Sequence, residues 1–225
     1  MSFLLSDPKI EALLDRMHTL SETQDEETDA YLTRRERAIA IDQPGFYDEA
    51  THRFLSDKMV ALQREKAEFC YLLCRSMRAA RIVEAGTSFG VSTLYLAAAV
   101  RDNQVANGLV IGTEHEPEKI RAALANFKEA GLSDYIDLLE GDLRNTLARI
   151  KGPIDFMLVD IWDVARPALE LVSPLLRPGA VVVCDNTAVD RAEYGSYFEF
   201  VHDPRNRFKT MTMPFQGGFE LSVRI

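Results

Sequence analysis

The sequence predicts an α/β fold built on a mostly parallel sheet of seven strands, and three observations lead to this prediction. From residue 81 onward, short apolar segments rich in β-branched residues alternate with helical patterns, as in parallel strands covered on both faces. The last two apolar segments, FKTMTMPF and FELSVRI, are joined by Gln216, Gly217 and Gly218, which predicts a hairpin and an antiparallel final strand. Residues before about 80 have helical periodicity, which predicts extra helices at the N-terminus.

The N-terminal helices are predicted from apolar residues spaced three or four apart. The first stripe consists of Ile10, Leu13, Leu14, Met17 and Leu20. Thr23 and Glu26 have the spacing of a capping box, so we expect a second helix to begin at Thr23. A third stripe predicts a long helix through Met59, Leu62, Phe69, Cys70, Leu73, Cys74 and Met77.

Five segments predict the parallel strands. In chain order they are RIVEAG, GLVIGTE, YIDLLEG, IDFMLVD and AVVVCD. Pro117 and Gly131 bracket the helix that follows the second strand, in the order expected for a helix start and end. The helices between the strands are expected to cover the sheet.

Composition narrows the functional classes. The 225 residues have a net charge of −9, which argues against a nucleic-acid or anionic-membrane surface, because both require a basic footprint. The three cysteines, Cys70, Cys74 and Cys184, are too few for a disulfide framework, so we expect reduced core thiols. The N-terminus lacks the pattern of a signal peptide, and no apolar run has the length of a membrane span. We therefore expect a cytoplasmic protein.

The functional site is expected where the parallel strands end, because open α/β sheets bind ligands beyond the carboxyl ends of their strands. The first strand ends in Glu84 and is followed by a glycine loop with nearby hydroxyls, namely Gly86, Ser88, Gly90, Ser92 and Thr93. Glycines allow close approach of a ligand to the backbone, and the following helix begins there. The loop is not the G-x-G-x-x-G dinucleotide fingerprint. A purely structural tight turn is the alternative.

An acid ends the second strand. Glu114 is placed to accept hydrogen bonds from both hydroxyls of a ribose, although neighbouring Glu116 could fill the same role. Beyond the third strand, Gly141 and Asp142 are candidates for the edge of an adenine ring, and simple turn chemistry is the alternative.

Oxygen-bearing side chains end the fourth and fifth strands. Asp160 follows the fourth strand, and Asp185 and Asn186 end the fifth. Because these strands should be neighbours, we expect the three side chains to converge on a site for a hard cation such as Mg²⁺. The alternative is that each acid caps the helix that follows it.

These motifs resemble the small cation-dependent O-methyltransferases, a family that includes the catechol and caffeoyl-CoA O-methyltransferases and their bacterial relatives. The similarity covers roughly residues 55–225. It lies in Glu84-x-Gly86 with TSFGVS, Glu114, EGD at 140–142, Asp160, DNT at 185–187, the EKAEF segment and the closing MPFQGGFELSVRI. The resemblance implies a Rossmann-like class I methyltransferase fold, with residues 1–54 as an N-terminal helical segment for capping or dimerisation and 55–225 as the methyltransferase domain.

The resemblance also implies S-adenosylmethionine as the methyl donor and Mg²⁺ or another divalent cation as the metal. The residues implied to hold the methionine end are Glu84, Gly86, Ser88 and Ser92. Gly90, in the same loop, and Asp160 are also implied to contact the cofactor. Glu114 is implied to bind the ribose, and Asp142 with Leu143 to edge the adenine. The implied metal ligands are Asp160, Asp185 and Asn186. Trp162 matches an aromatic residue that walls the acceptor pocket.

Asp163 departs from the family pattern, because it stands where the family usually carries a lysine base. A carboxylate is a weak base near neutral pH unless neighbouring acids raise its pKa, so Asp163 is a candidate base, an additional metal ligand or neither. The main hypothesis is methyl transfer to a hydroxyl of a small catechol-like molecule. The alternatives are a metal-independent methyltransferase acting on a carboxylate, amine or single hydroxyl, a non-catalytic S-adenosylmethionine-binding protein and a nicotinamide-dependent oxidoreductase.

The acceptor's identity is not encoded in any motif that we find. Residues 187–206 contain several aromatic side chains, and we expect Tyr194, Tyr197, Phe198 and Phe200 to line or cover the pocket. The resemblance implies a homodimer.

Overall fold

The computed structural model describes residue 5 and residues 7–38, 48–162, 164–188 and 191–225. The strands form one sheet and are β1 (Arg81–Ala85), β2 (Leu109–Glu114), β3 (Ile136–Glu140), β4 (Ile154–Val159), β5 (Leu176–Asp185), β6 (Phe208–Met213) and β7 (Phe219–Arg224). Their order is β3-β2-β1-β4-β5-β7-β6. The first five strands are parallel, and β7 pairs antiparallel with both β5 and β6. The predicted fold class is therefore confirmed, including the C-terminal hairpin.

Three helices precede the sheet, and the later helices separate the parallel strands as predicted, but the long helix predicted through Met59 and Leu62 begins only at Arg64. Within the described residues they are α1 (Pro8–Ala38), α2 (Glu49–Leu55), α3 (Arg64–Ser76), α4 (Val91–Asn103), α5 (Pro117–Ala130), α6 (Leu143–Leu147), α7 (Ala165–Val172) and α8 (Arg191–His202). In the same part of the chain, no helix combines the length and apolar character that a membrane crossing requires.

The core has two apolar layers, one on each face of the sheet. Along β1, Ile82 belongs to one layer and Val83 to the other, as expected from the alternation of side chains in a strand. The layer on the Ile82 face is built with α1, α3, α4 and α5, whereas α7 and α8 cover the Val83 face. The three cysteines are free and buried, as predicted.

The prediction that a new helix begins at Thr23 is wrong. The structure has one continuous helix, α1, from Pro8 to Ala38. The Thr23 hydroxyl donates a hydrogen bond to the Leu20 carbonyl oxygen at 2.6 Å, which is a bond that threonine forms inside helices. Leu20 is 48% exposed, so the apolar stripe that packs on the core ends at Met17.

The expected pocket role of Tyr194 and Tyr197 is also wrong. Both side chains are 1% exposed and belong to the core layer beneath α8. Phe198 and Phe200 are partly buried against the same layer. The Tyr194 hydroxyl donates a hydrogen bond to the Ile161 carbonyl oxygen at 3.2 Å, so Tyr194 supports the segment after β4 from below.

Candidate active site

A cavity of about 410 Å³ lies at the carboxyl ends of the parallel strands. It lies next to the point where the strand order reverses between β1 and β4, which is where open α/β sheets bind ligands. The predicted site residues on its wall are Gly86, Ser88, Glu114, Asp142, Leu143, Asp160 and Trp162. A small recess of about 10 Å³ adjoins Asp160 and is lined by Ser88 and Ser92.

Gly86 allows the loop after β1 to lie directly against the end of β4. Its φ is +100°, and a Cβ atom at this position would lie 2.2 Å from the Asp160 carbonyl oxygen. The Asp160 backbone N–H also donates to the Ala85 carbonyl oxygen at 2.9 Å. Glycine is therefore required here for both its conformation and its size.

Gly90 serves a different purpose from the predicted one. Its φ is +88°, and a Cβ atom there would lie 2.4 Å from the Phe127 ring. Among the described residues, the walls of the cavity and of the recess do not include Gly90. The glycine thus makes room for an aromatic side chain of the core and lies outside both walls.

Glu84 is fully buried within a ring of hydroxyls. Its carboxylate accepts hydrogen bonds from Thr87 at 2.9 Å, from Ser92 at 2.6 Å and from Thr93. Burial raises the pKa of Glu84, and the three hydroxyls act in the opposite direction. Glu84 therefore fixes the glycine loop and the first turn of α4 from below the cavity.

Glu114 is oriented by backbone amides at the end of β2. One carboxylate oxygen accepts a hydrogen bond from the Ser88 N–H at 2.8 Å. The other accepts from the N–H groups of His115 at 2.7 Å and Glu116 at 2.9 Å. The side chain is held in one orientation at the cavity wall, beside the glycine loop.

The wall on the β3 side contains the residues predicted to edge an adenine ring. Asp142 caps the N-terminus of α6, where its carboxylate accepts from the Arg144 N–H at 2.8 Å and from the Arg144 guanidinium at 3.2 Å. Leu143 follows it and presents an apolar surface to the same cavity.

Asp160 and Asp185 are neighbours at the ends of β4 and β5, because Val159 pairs with Cys184 in the sheet register. Burial and the Asp185 carboxylate raise the pKa of Asp160. Burial also raises the pKa of Asp185, whereas Lys66 and the Asn186 N–H act to lower it. Asn186 has a φ of +59°, a conformation that asparagine tolerates better than most residues.

The predicted metal ligands are two carboxylates and one amide. In the part of the chain that the structure describes, no three His, Cys, Asp or Glu side chains are grouped closely enough to hold a metal ion. Asp163, the candidate base, lies outside the described residues. Any cation site here therefore depends on Asp160, Asp185 and the Asn186 amide oxygen.

Lys66 is the main site residue that the sequence interpretation missed. Its ammonium donates a hydrogen bond to Asp185 Oδ1 at 2.5 Å, and its side chain is 0% exposed. It lies at the helical spacing of the apolar stripe that includes Leu62, Phe69 and Cys70. A charged residue on the buried face of a helix is unusual, and this pattern was the signal that could have revealed it.

The N-terminal part of the chain contributes to the cavity wall. His52 and Leu55 of α2, together with Ser56 and Val60 that follow it, line the cavity, and we call them the upper wall. The sequence predicted a capping or dimerisation role for residues 1–54, but it did not specify which of these residues face the cavity. Trp162 and Asp160 both line the cavity, and the place of Trp162 beside an acceptor stays a prediction.

Comparison with known proteins supports the methyltransferase interpretation. Residues 83–187, a little under half of the chain, match a family model described as a methyltransferase domain. This match confirms the predicted resemblance to methyltransferases. The matched methyltransferase region begins within β1 and ends just after β5, so it contains the glycine loop, Glu114, Asp160 and Asp185.

Curated relatives match a little over half of the chain. A catechol O-methyltransferase of Mycobacterium tuberculosis is 30% identical over 129 residues, which cover 56% of this chain and 57% of the relative. A catechol O-methyltransferase of Niastella koreensis is 27% identical over 139 residues, covering 58% of this chain and 60% of the relative. The alignments thus span less than two thirds of either relative.

Solved structures share the fold. An O-methyltransferase from Bacillus cereus, in complex with S-adenosylhomocysteine, superimposes with a TM-score of 0.67 at 20% identity and covers 93% of this chain and 100% of its own. The O-methyltransferase TomG from Streptomyces achromogenes, in complex with S-adenosylmethionine, has a TM-score of 0.66 at 23% identity and covers 77% and 85%. At these identities the likeness shows the fold.

Proposed function

We propose that the protein is an S-adenosylmethionine-dependent O-methyltransferase that acts on a hydroxyl of a small, catechol-like molecule. The observation that carries the proposal is Glu114, whose carboxylate is fixed by three backbone amides at the wall of the cavity in the matched methyltransferase region. Relatives named catechol O-methyltransferase, and neighbours of the same fold in complex with S-adenosylmethionine or S-adenosylhomocysteine, support it.

Different parts of the cavity wall suit the ribose, the adenine and the methionine end of S-adenosylmethionine. Glu114 binds the ribose hydroxyls, and Asp142 with Leu143 edges the adenine. Gly86 and Ser88 approach the methionine end, near the recess beside Asp160. S-adenosylmethionine, when bound, supplies a sulfonium methyl group for transfer to an acceptor oxygen. Trp162 walls the acceptor side and holds the acceptor in position for attack.

The residues at the ends of β4 and β5 fit a divalent cation. Carboxylate and amide oxygens are the donors that Mg²⁺ prefers, and the neighbouring carboxylates of Asp160 and Asp185 repel one another without a nearby positive charge. If Mg²⁺ were bound there, it would supply Lewis-acid chemistry that lowers the pKa of an acceptor hydroxyl. Asp160, Asp185 and Asn186 would hold the ion. Asp163 stays a candidate base.

A metal-independent methyltransferase is the second candidate, and the Lys66–Asp185 ion pair favours it. The Lys66 ammonium already supplies one positive charge beside the two aspartates. In this case the aspartates and the lysine form a structural unit at the strand ends, and the acceptor is a carboxylate, an amine or a single hydroxyl that is methylated without a cation.

Transfer of a radiolabelled methyl group from S-adenosylmethionine to catechol tests the main proposal and separates the candidates. With Mg²⁺ present we expect labelled product, which EDTA should remove. Product that is insensitive to EDTA would establish the metal-independent candidate. If S-adenosylhomocysteine binds but neither catechol nor related diols are methylated, the catalytic proposal fails and a non-catalytic binding protein is left.

The remaining predictions concern the oligomeric state, the location, the partners and the domain division of the protein. The homodimer, the cytoplasmic location, the lack of nucleic-acid and membrane partners and the division at residues 54 and 55 stay predictions. An S-adenosylmethionine-dependent reaction on a small molecule is compatible with all of them.

A further inference from the structure

Lys66 is enclosed at the junction of three elements. Its helix, α3, brings the ammonium to Asp185 Oδ1 at the end of β5, 2.5 Å away. The same ammonium lies 5.7 Å from the centroid of the Phe219 ring, at the start of β7. Asp185 and Phe219 are paired residues of the sheet, so the lysine is held between a carboxylate and an aromatic face.

The charges around Lys66 are mostly negative. Glu84 and Asp185 are buried, and both of their carboxylates act on Asp160, which is half-buried at the cavity wall. Lys66 acts on Asp160 with the opposite sign and is paired directly with Asp185. With side-chain exposures of 0% for Lys66 and 5% for Asp185, water screens this pair little. The Lys66–Asp185 pair therefore belongs to the electrostatics of the predicted cation site.

The ion pair has a geometric and an electrostatic consequence. Hydrogen bonding to Lys66 commits Asp185 Oδ1, which leaves Oδ2 as the oxygen that Asp185 can direct at a cation. The positive charge of Lys66 also repels any cation held by Asp185, because like charges a few ångströms apart interact strongly in a protein interior.

We propose that Lys66 is a positioning residue that restricts Asp185 to a single metal-binding oxygen and weakens divalent-cation binding at this site. This inference rests on the proposed function, because it concerns the cation site of that enzyme. The lysine stands in for part of the cation's charge when the cation is absent, so that the two aspartates remain compatible with a folded core. The cation is then an exchangeable component of the site.

Calorimetric titration of MnCl₂ into protein saturated with S-adenosylhomocysteine tests the inference. Lys66→Gln removes the charge but keeps a hydrogen-bond donor for Asp185, and Lys66→Met removes both. Lys58→Gln is the matched control. It removes the same charge from a lysine that pairs with Glu27 and Asp57 instead of Asp185. Melting temperatures with and without Mn²⁺ provide a readout that is independent of activity.

We expect Lys66→Gln to bind Mn²⁺ more tightly than wild type by roughly tenfold or more, since a repulsive charge is removed. Its melting temperature should rise more on adding Mn²⁺ than that of wild type. Lys58→Gln should match wild type in both measurements. Tight binding in Lys66→Gln with no detectable binding in wild type would also support the inference, in its strongest form.

Equal or weaker Mn²⁺ binding in Lys66→Gln and Lys66→Met would overturn the inference while leaving the proposed function intact. Absence of Mn²⁺ binding in every variant would overturn it as well, and S-adenosylhomocysteine binding in the same samples would show whether the methyltransferase proposal survives. If neither neutral variant folds at any Mn²⁺ concentration, the ion pair serves folding instead of cation binding, and the inference fails.

Discussion

The Glu114 carboxylate accepts a hydrogen bond from the Ser88 N–H at 2.8 Å and thereby ties the end of β2 to the glycine loop after β1. The two segments form adjacent walls of the cavity. One side chain therefore both faces the cavity and fixes the glycine loop that lines it. This relationship makes Glu114 the most informative residue to change.

Glu114→Ala should weaken S-adenosylhomocysteine binding by about tenfold to a hundredfold, because it removes charge-assisted hydrogen bonds to a ribose. Isothermal titration calorimetry measures the change. Glu116→Ala is the control, since Glu116 is the other acid that the sequence allowed for this role. Full affinity in Glu114→Ala, or an equal loss in both variants, would refute the ribose assignment.

Gly86→Ala should destabilise the protein more than Gly131→Ala does. Both glycines have positive φ, and alanine in that conformation costs about 1–2 kcal/mol. Only Gly86 also faces a backbone atom, the Asp160 carbonyl oxygen, and this overlap adds roughly 1–3 kcal/mol. A Cβ at Gly131 meets nothing within 4 Å. Denaturant unfolding gives both values, and equal losses would contradict the close approach.

The strand ends could be predicted from the sequence, whereas contacts between distant segments could not. Apolar runs ending in Glu114, Asp160 and Asp185 indicated a parallel sheet and brought these acids to one edge. The partner of Asp185, Lys66, lies 119 residues away in a helical stripe, and no local pattern joins the two.

Side-chain orientation explains the other differences. Gly90 lies in a loop with ligand-binding composition, but its missing Cβ accommodates Phe127 of the core. Tyr194 and Tyr197 are aromatic residues of a helix beside the site, and periodicity alone did not reveal that they face the core. The upper wall formed by His52 and Leu55 depends on how the N-terminal helices pack, which no single segment specifies.

The free energy of unfolding should decrease as the pH is lowered, because His18 is harder to protonate in the folded protein than in the unfolded chain. Burial, followed by the charge of Arg64, lowers the pKa of His18 to about 4 from its ordinary 6.5. Between these values the unfolded chain binds more protons than the folded one, so stability decreases as the pH falls from about 6.5 to about 4. The loss attributable to this histidine is up to about 3 kcal/mol.

His18→Gln tests this assignment, because glutamine can preserve the hydrogen bond that His18 Nε2 makes with the Tyr95 hydroxyl at 3.2 Å. Denaturant unfolding at a series of pH values should show a shallower dependence in the variant over that window. The effects of the buried carboxylates are common to both proteins and cancel in the comparison. Identical slopes would mean that His18 titrates normally.

His52→Ala should weaken S-adenosylhomocysteine binding several-fold, roughly 1 kcal/mol, because His52 lines the cavity from α2. The neighbouring Arg53→Ala is the control, since Arg53 is highly exposed and pairs with Glu49 on the same helix. Isothermal titration calorimetry measures the affinity of both variants for S-adenosylhomocysteine. If the two variants bind with the affinity of wild type, α2 covers the cavity without contacting the ligand.

Titration of S-adenosylhomocysteine into the wild-type protein tests the central claim most directly, because it requires no knowledge of the acceptor or the metal. The account predicts saturable binding at a single site, weakened in Glu114→Ala and retained in Glu116→Ala. A folded wild-type protein that binds neither S-adenosylhomocysteine nor S-adenosylmethionine at millimolar concentrations would contradict the proposed function.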